Sequence, residues 1–131
     1  MIVVDASVLT EALTGDGTAG KAARARLARD SHWAAPEHLV VETFHAVRGR
    51  LLGQKISPER AEDAVSALSA LSIETVDVQR LLPRMWELRG NVSGYDAAYI
   101  ATAETFACSL ITGDARLSRC KVAQCAIEVI A

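Results

Sequence analysis

Four acidic side chains in this sequence could act together: Asp5, Glu42, Asp96 and Asp114. Asp5 directly follows the apolar run Ile2-Val3-Val4, and Asp114 follows Leu110-Ile111-Thr112-Gly113. Both therefore stand where a strand of an α/β fold would end. In open parallel sheets, ligands bind beyond the carboxyl ends of the strands, near the point where the strand order reverses. Asp96 opens a helical segment, so its side chain can face the same edge. Glu42 is one of few acids in a helical stretch otherwise rich in apolar residues. Four carboxylates converging there would repel one another, by roughly 1 kcal/mol per pair at about 4 Å even in water's dielectric and by more when partly buried. Folding tolerates such a cluster only with a compensating cation, and hard oxygen ligands suit Mg²⁺ or Mn²⁺. Each acid taken singly also has an ordinary reading: Asp5 as a helix cap, Glu42 as a solvated helix residue, Asp96 as a complement to a helix dipole, Asp114 as a turn residue. Spacing alone does not bring them together.

The elements that would position these acids can be read along the chain. Ile2–Val4 reads as a short buried strand. Ser7 is then expected to cap a helix through Val8, Leu9, Ala12 and Leu13, and Gly15-Asp16-Gly17 to break it. A second helix is expected over 19–29 and a short strand over Trp33–Pro36. Residues 37–52 have helical periodicity, with Val40, Val41, Phe44, Val47, Leu51 and Leu52 as the apolar stripe. Ser57-Pro58-Glu59 carries a start signal, Ser as cap and Pro at the first position, for a helix towards Leu71. Alternation over 73–78 predicts a strand, followed by a helix to about Arg89. A helix over 96–107 turns Ala97, Ile100, Ala101 and Ala103 inward. Strands are expected at 108–112 and 127–130. Strands alternating with helices imply an α/β/α sandwich: a central, mainly parallel sheet covered by helices on both faces. With 131 residues and no linker or repeat, the chain reads as one domain over residues 1–131.

The bulk numbers narrow the function classes. The net charge is −2, from 14 basic and 16 acidic residues, which is not the footprint of a tight, non-specific nucleic-acid binder. No apolar run approaches the roughly 18 residues of a membrane span, and Met1-Ile2-Val3-Val4-Asp5 is no signal peptide. Three cysteines, Cys108, Cys120 and Cys125, an odd number, suggest a reducing cytoplasm. Cys108 lies in an apolar run and reads as core, and the five-residue spacing of Cys120 and Cys125 lacks the second ligand pair of a zinc site. His32, His38 and His45 are given no catalytic role, and no nucleophile–histidine–acid arrangement is visible.

Four blocks of sequence carry a family resemblance over essentially the whole chain. They are Val3-Val4-Asp5-Ala6-Ser7, Pro36-Glu37-His38-Leu39-Val40-Val41-Glu42, Tyr95-Asp96-Ala97-Ala98-Tyr99-Ile100-Ala101, and Leu110-Ile111-Thr112-Gly113-Asp114-Ala115-Arg116-Leu117. Each is short, but in this order and spacing they resemble the PIN-domain ribonucleases, and in particular the toxins of VapBC-type toxin–antitoxin pairs. The resemblance implies a PIN-like fold and a Mg²⁺-dependent endoribonuclease, with Mn²⁺ as a substitute. Asp5, Glu42, Asp96 and Asp114 would be its metal-binding and catalytic carboxylates, with Ser7 and Thr112 hydrogen-bonding the acids or a bound water. It further implies an RNA substrate, a cognate antitoxin and a homodimer.

One departure stands out. Many members carry a further acid two residues after the fourth one, and here that position is Arg116. A second metal would then bind weakly or only with substrate, and Arg116 would contact phosphate or simply be solvated. Arg48, Arg50, Lys55, Arg119 and Lys121 are further candidates for a basic rim. Leu81, Leu82, Met85 and Trp86 form either an exposed apolar patch or core. The alternative function is a catalytically weak or inactive PIN module that binds RNA or a protein partner. A haloacid-dehalogenase-like phosphatase would need a second Asp where Ser7 stands, and a response-regulator receiver would need paired early acids and a late Lys.

Overall fold

The computed structural model describes residues 1–130. Its centre is a five-stranded sheet of β1 (Ile2–Val4), β2 (Trp33–Pro36), β3 (Ile73–Val76), β4 (Ser109–Thr112) and β5 (Ile127–Val129). The spatial order is β3-β2-β1-β4-β5, and every neighbouring pair is parallel. The expectation of a mainly parallel sheet is met by one that is wholly parallel. Six helices cover it: α1 (Ala6–Thr14), α2 (Thr18–Leu27), α3 (Leu39–Leu52), α4 (Pro58–Ala70), α5 (Leu82–Leu88) and α6 (Gly94–Phe106). From β1 the chain builds outward to β2 and β3, then returns to place β4 on the other side of β1. The order therefore reverses between β1 and β4, and the crevice beyond their carboxyl ends is the position such sheets use for ligands.

The core explains why the central strands read as unbroken apolar runs. Val3, Val4, Leu110 and Ile111 are fully buried, because helices close both faces of a parallel sheet. Helix α6 is buried all round from Ala97 to Ala103. Small residues let it lie against β1, β2 and β4, while Ala98 and Ala101 pack on Leu81. Cys108, Cys120 and Cys125 are free thiols, each partly buried against the main core.

Several boundaries differ from the sequence reading, each for an identifiable reason. The cap of α1 is Asp5, not Ser7: the Asp5 carboxylate accepts from the backbone N–H groups of Ser7 and Val8, so the helix starts at Ala6. β3 stops at Val76 because Asp77 accepts from the Gln79 N–H and starts a 3-10 turn over Val78–Leu81. α6 begins earlier than expected, since the Ser93 hydroxyl accepts from the Asp96 N–H. The largest correction concerns α3. Only Leu39, Thr43 and Val47 are buried, a line four residues apart facing α1 and α4. Val40, Val41, Phe44 and Leu52 are exposed, because no further layer covers that side. The expected patch near Trp86 also divides: Leu81 is buried and Met85 packs on the core, while Leu82 and Trp86 are exposed, with the Arg89 guanidinium 4.2 Å from the Trp86 ring centroid.

Helices α1 and α2 meet through their backbones. A Cβ built on Gly20 would overlap the carbonyl group of Gly15, at the end of α1. The Arg24 guanidinium locks the same junction by donating to the Ala12 and Gly15 carbonyls, at 3.1 and 2.7 Å. Gly20→Ala should therefore force the two helices apart and lower stability by about 2 kcal/mol, within the usual range for overpacking. Gly90→Ala, where a Cβ meets nothing within 4 Å, is the control. Denaturant unfolding of the two variants checks this, and equal stabilities would refute it.

Candidate metal centre

The first acid is held most firmly. Asp5 lies between β1 and α1 and is 5% exposed. One carboxylate oxygen accepts from the Ser7 N–H at 2.6 Å and from the Ser7 hydroxyl. The other accepts from the Thr112 hydroxyl at 2.5 Å. Thr112, wholly buried at the end of β4, accepts in turn from the Asp114 N–H at 3.0 Å, and the Ser7 hydroxyl accepts from the Gly113 N–H at 2.8 Å. Ser7 and Thr112 thus tie the loops after β1 and β4 together.

Glu42 arrives from the first turn of α3. Its Oε1 lies 3.4 Å from the Tyr99 hydroxyl. Its Oε2 is buried and has no partner, and the Nε2 of His38, 3.8 Å away, is also buried without one. Burial pushes the Glu42 carboxyl above the usual range, and the charges of Asp5 and Asp96 push it further. Asp96 is raised in the same way, by burial first and by Asp5 and Asp114 in addition, against a Ser93 hydrogen bond and the charge of Arg116. The charges of Asp5 and Asp96 thus act on Glu42, and those of Asp5 and Asp114 on Asp96. Asp114 differs: the Arg116 guanidinium beside it holds its carboxyl below the usual range.

Glu42, Asp96, Asp114 and Arg116 line one cavity of about 590 Å³, with Val41, His38, His45 and Tyr95 on its wall. Glu42 also borders a second cleft of about 490 Å³, which Ser7, Glu11 and Arg50 line. Of the expected basic rim, only Arg116 lines the acidic cavity, and Arg119 is near enough to lower Asp114. Arg50 spends its charge on Glu11, at 2.7 Å, and Arg48 borders a groove between α3 and α4. His38, Tyr95 and Tyr99 are the site residues that the sequence reading passed over. His38 makes edge contacts with both tyrosine rings, at 5.7 and 5.1 Å between centroids. Helical spacing was the available signal: His38 stands four residues before Glu42, and Tyr99 three after Asp96.

The donor set suits a hard divalent ion. It is all carboxylate oxygen, it carries unbalanced negative charge, and one buried oxygen has no partner. Among the described residues no three Asp, Glu, His or Cys side chains stand close enough to grip an ion together.

Comparison with known proteins agrees with the topology. The family model for the PIN domain matches residues 2–122, and the chain belongs to that family. It is 37% identical to Ribonuclease VapC1 of Mycobacterium tuberculosis, over 98% of this chain and 96% of that one. It is 36% identical to Ribonuclease VapC9 of the same organism, over 99% and 98%. Among solved structures, the M. tuberculosis VapC20, described as a Sarcin-Ricin loop cleaving toxin, superposes with a TM-score of 0.71 at 16% identity, covering 92% of this chain and 95% of that chain. At that identity the likeness speaks for the fold alone.

Proposed function

We propose that this chain is a divalent-metal-dependent endoribonuclease and the toxin half of a toxin–antitoxin pair. The observation that carries the reading is that Glu42, Asp96 and Asp114 line one cavity, with Asp5 and Asp114 directly after the two strands between which the order reverses, in a family whose curated relatives are named ribonucleases. The four acids would hold Mg²⁺, or Mn²⁺ in its place, which when bound lowers the pKa of a water and offsets charge on the phosphate. Ser7 and Thr112 fix the Asp5 carboxylate so that it need not reorganise. The unpartnered Oε2 of Glu42 is the atom free to take the proton from the attacking water. Attack at phosphorus then breaks the bond to the 3′ oxygen, and hydrolysis yields a 5′-phosphate and a 3′-hydroxyl.

An antitoxin would reach the site over the exposed Val40, Val41 and Phe44 of α3, and the exposed Leu82 and Trp86 offer a contact for a homodimer. No helix is long and apolar enough to cross a membrane among the described residues. The purified, antitoxin-free protein should cut RNA with Mg²⁺ or Mn²⁺, stop with EDTA, and leave 5′-phosphate ends. Cleavage that survives EDTA and leaves cyclic phosphates would overturn the reading. A chain that cuts no RNA with either metal would instead be an inactive PIN module that binds RNA or protein.

A further inference from the structure

Arg116 occupies the position where many relatives by resemblance would have a further acid, and the structure shows what it does there. Its side chain is 81% exposed, yet its guanidinium is docked on Asp114. Nε lies 3.0 Å from Oδ1 and 3.2 Å from Oδ2, and Nη2 lies 2.7 Å from Oδ2. The Arg116 N–H also donates to Oδ1, at 2.9 Å. Both oxygens of this carboxylate are thus engaged by a single residue. Among the described residues Arg116 forms no other ion pair, so nothing else fixes the guanidinium. It projects into the cavity that holds Glu42 and Asp96.

Two consequences follow from charge and geometry. A divalent ion that uses Asp114 must displace a cation already there. A phosphate is the one common group that matches a guanidinium fork as well as a carboxylate does. We propose that Arg116 is a latch on the metal centre, holding Asp114 until a phosphate group of the bound nucleic acid takes the guanidinium and frees the carboxylate for the ion. This rests on the metal-dependent nuclease reading and adds an order to it: metal and phosphate bind with positive coupling, and by linkage each strengthens the other equally.

The test is Mn²⁺ affinity, measured by electron paramagnetic resonance for the full chain and for Arg116→Ala. 5′-AMP serves as the phosphate probe, because it has no diester bond to cut. Free Mn²⁺–AMP binding is subtracted from a titration without protein. Arg116→Ala should bind Mn²⁺ on the order of five-fold more tightly than the unmodified chain, at the lower end of usual coupling strengths. AMP should tighten Mn²⁺ binding in the unmodified chain and leave the variant nearly unchanged. Arg116→Lys, which keeps the charge without the fork, should fall between the two. Equal Mn²⁺ affinities overturn the latch, as does an equal AMP effect in both proteins or no Mn²⁺ binding by either. RNA cleavage run in parallel separates the two ideas. RNA cut by a protein with unaltered metal affinity removes the latch alone, whereas coupled metal binding without any RNA cleavage removes the nuclease reading alone.

Discussion

Asp96→Asn should lower RNA cleavage by on the order of a thousand-fold while leaving the fold as stable as before, or more so. A thousand-fold loss corresponds to about 4 kcal/mol of transition-state stabilisation, a reasonable share of what a metal centre contributes. The unusual part is the stability. Burial and the charges of Asp5 and Asp114 hold the Asp96 carboxyl above its ordinary value, so its ionised form is a burden on the metal-free fold. Asparagine keeps the shape and leaves the cap of α6 intact, because that cap runs from the Asp96 backbone N–H to the Ser93 hydroxyl, and it removes the repelling charge. Asp5→Asn is a poorer probe. The Asp5 carboxylate accepts from Ser7 and Thr112 on its two oxygens, and an amide group would set an N–H donor against one of those hydroxyls. That variant should lose activity and stability together, which leaves the cause unresolved. Melting temperature and cleavage rate, measured on the same Asp96→Asn preparation, check the prediction. Retention of more than a tenth of the activity would remove Asp96 from the metal centre.

The strands and the places of Asp5 and Asp114 at their ends were legible because they rest on local rules, whereas grouping the four acids rested on the family resemblance. Apolar runs mark strands that are buried on both faces, and Asp5 and Asp114 each follow such a run directly. The sequence could not place these ends beside each other. That depends on β4 returning to the far side of β1, a long-range choice that leaves no local trace. Ser7 was visible as a small polar residue at a strand end, but its role as a cap was misread. Asp5 competes for the same backbone donors with a charged acceptor, and it prevails. The apolar stripe of α3 was over-read for a different reason. Periodicity says which residues share a face, not whether a neighbouring layer covers it, and Val41 and Phe44 face no such layer. His38 was given no catalytic role, and Tyr99 stood only as part of the third block of the resemblance. Only the meeting of α3 and α6 shows that they surround Glu42.

Mg²⁺ should stabilise the protein strongly near neutral pH and only weakly near pH 5. Glu42 and Asp96 titrate above their ordinary values in the fold. Between the ordinary carboxylate range and those raised values, the native state binds more protons than the unfolded chain, so the two acids make stability fall as pH rises. Above the raised values the whole penalty is present, and an ion that pairs the charges relieves it. Other groups pull the opposite way. Asp30 is lowered by Arg26 and Asp114 by Arg116, and Glu104, though burial raises it, is lowered overall by Arg84 and the Gln124 N–H. Their contribution is lost only as pH falls through those depressed values, at the acidic end. His38, which burial keeps from protonating, loses stability for the native state as pH falls through the ordinary histidine range. Total stability against pH therefore mixes terms of both signs. The difference between melting temperatures with and without Mg²⁺ cancels most of them, and it isolates the acids that meet the ion. At a hundred times its dissociation constant Mg²⁺ should contribute about 2.7 kcal/mol, or roughly 8 °C at about 3 °C per kcal/mol for a chain of this size. Protons competing for Glu42 and Asp96 should shrink that shift near pH 5, and Asp96→Asn should shrink it at every pH. A shift of equal size at both pH values, or one undiminished in the variant, would mean that the ion binds elsewhere on the protein.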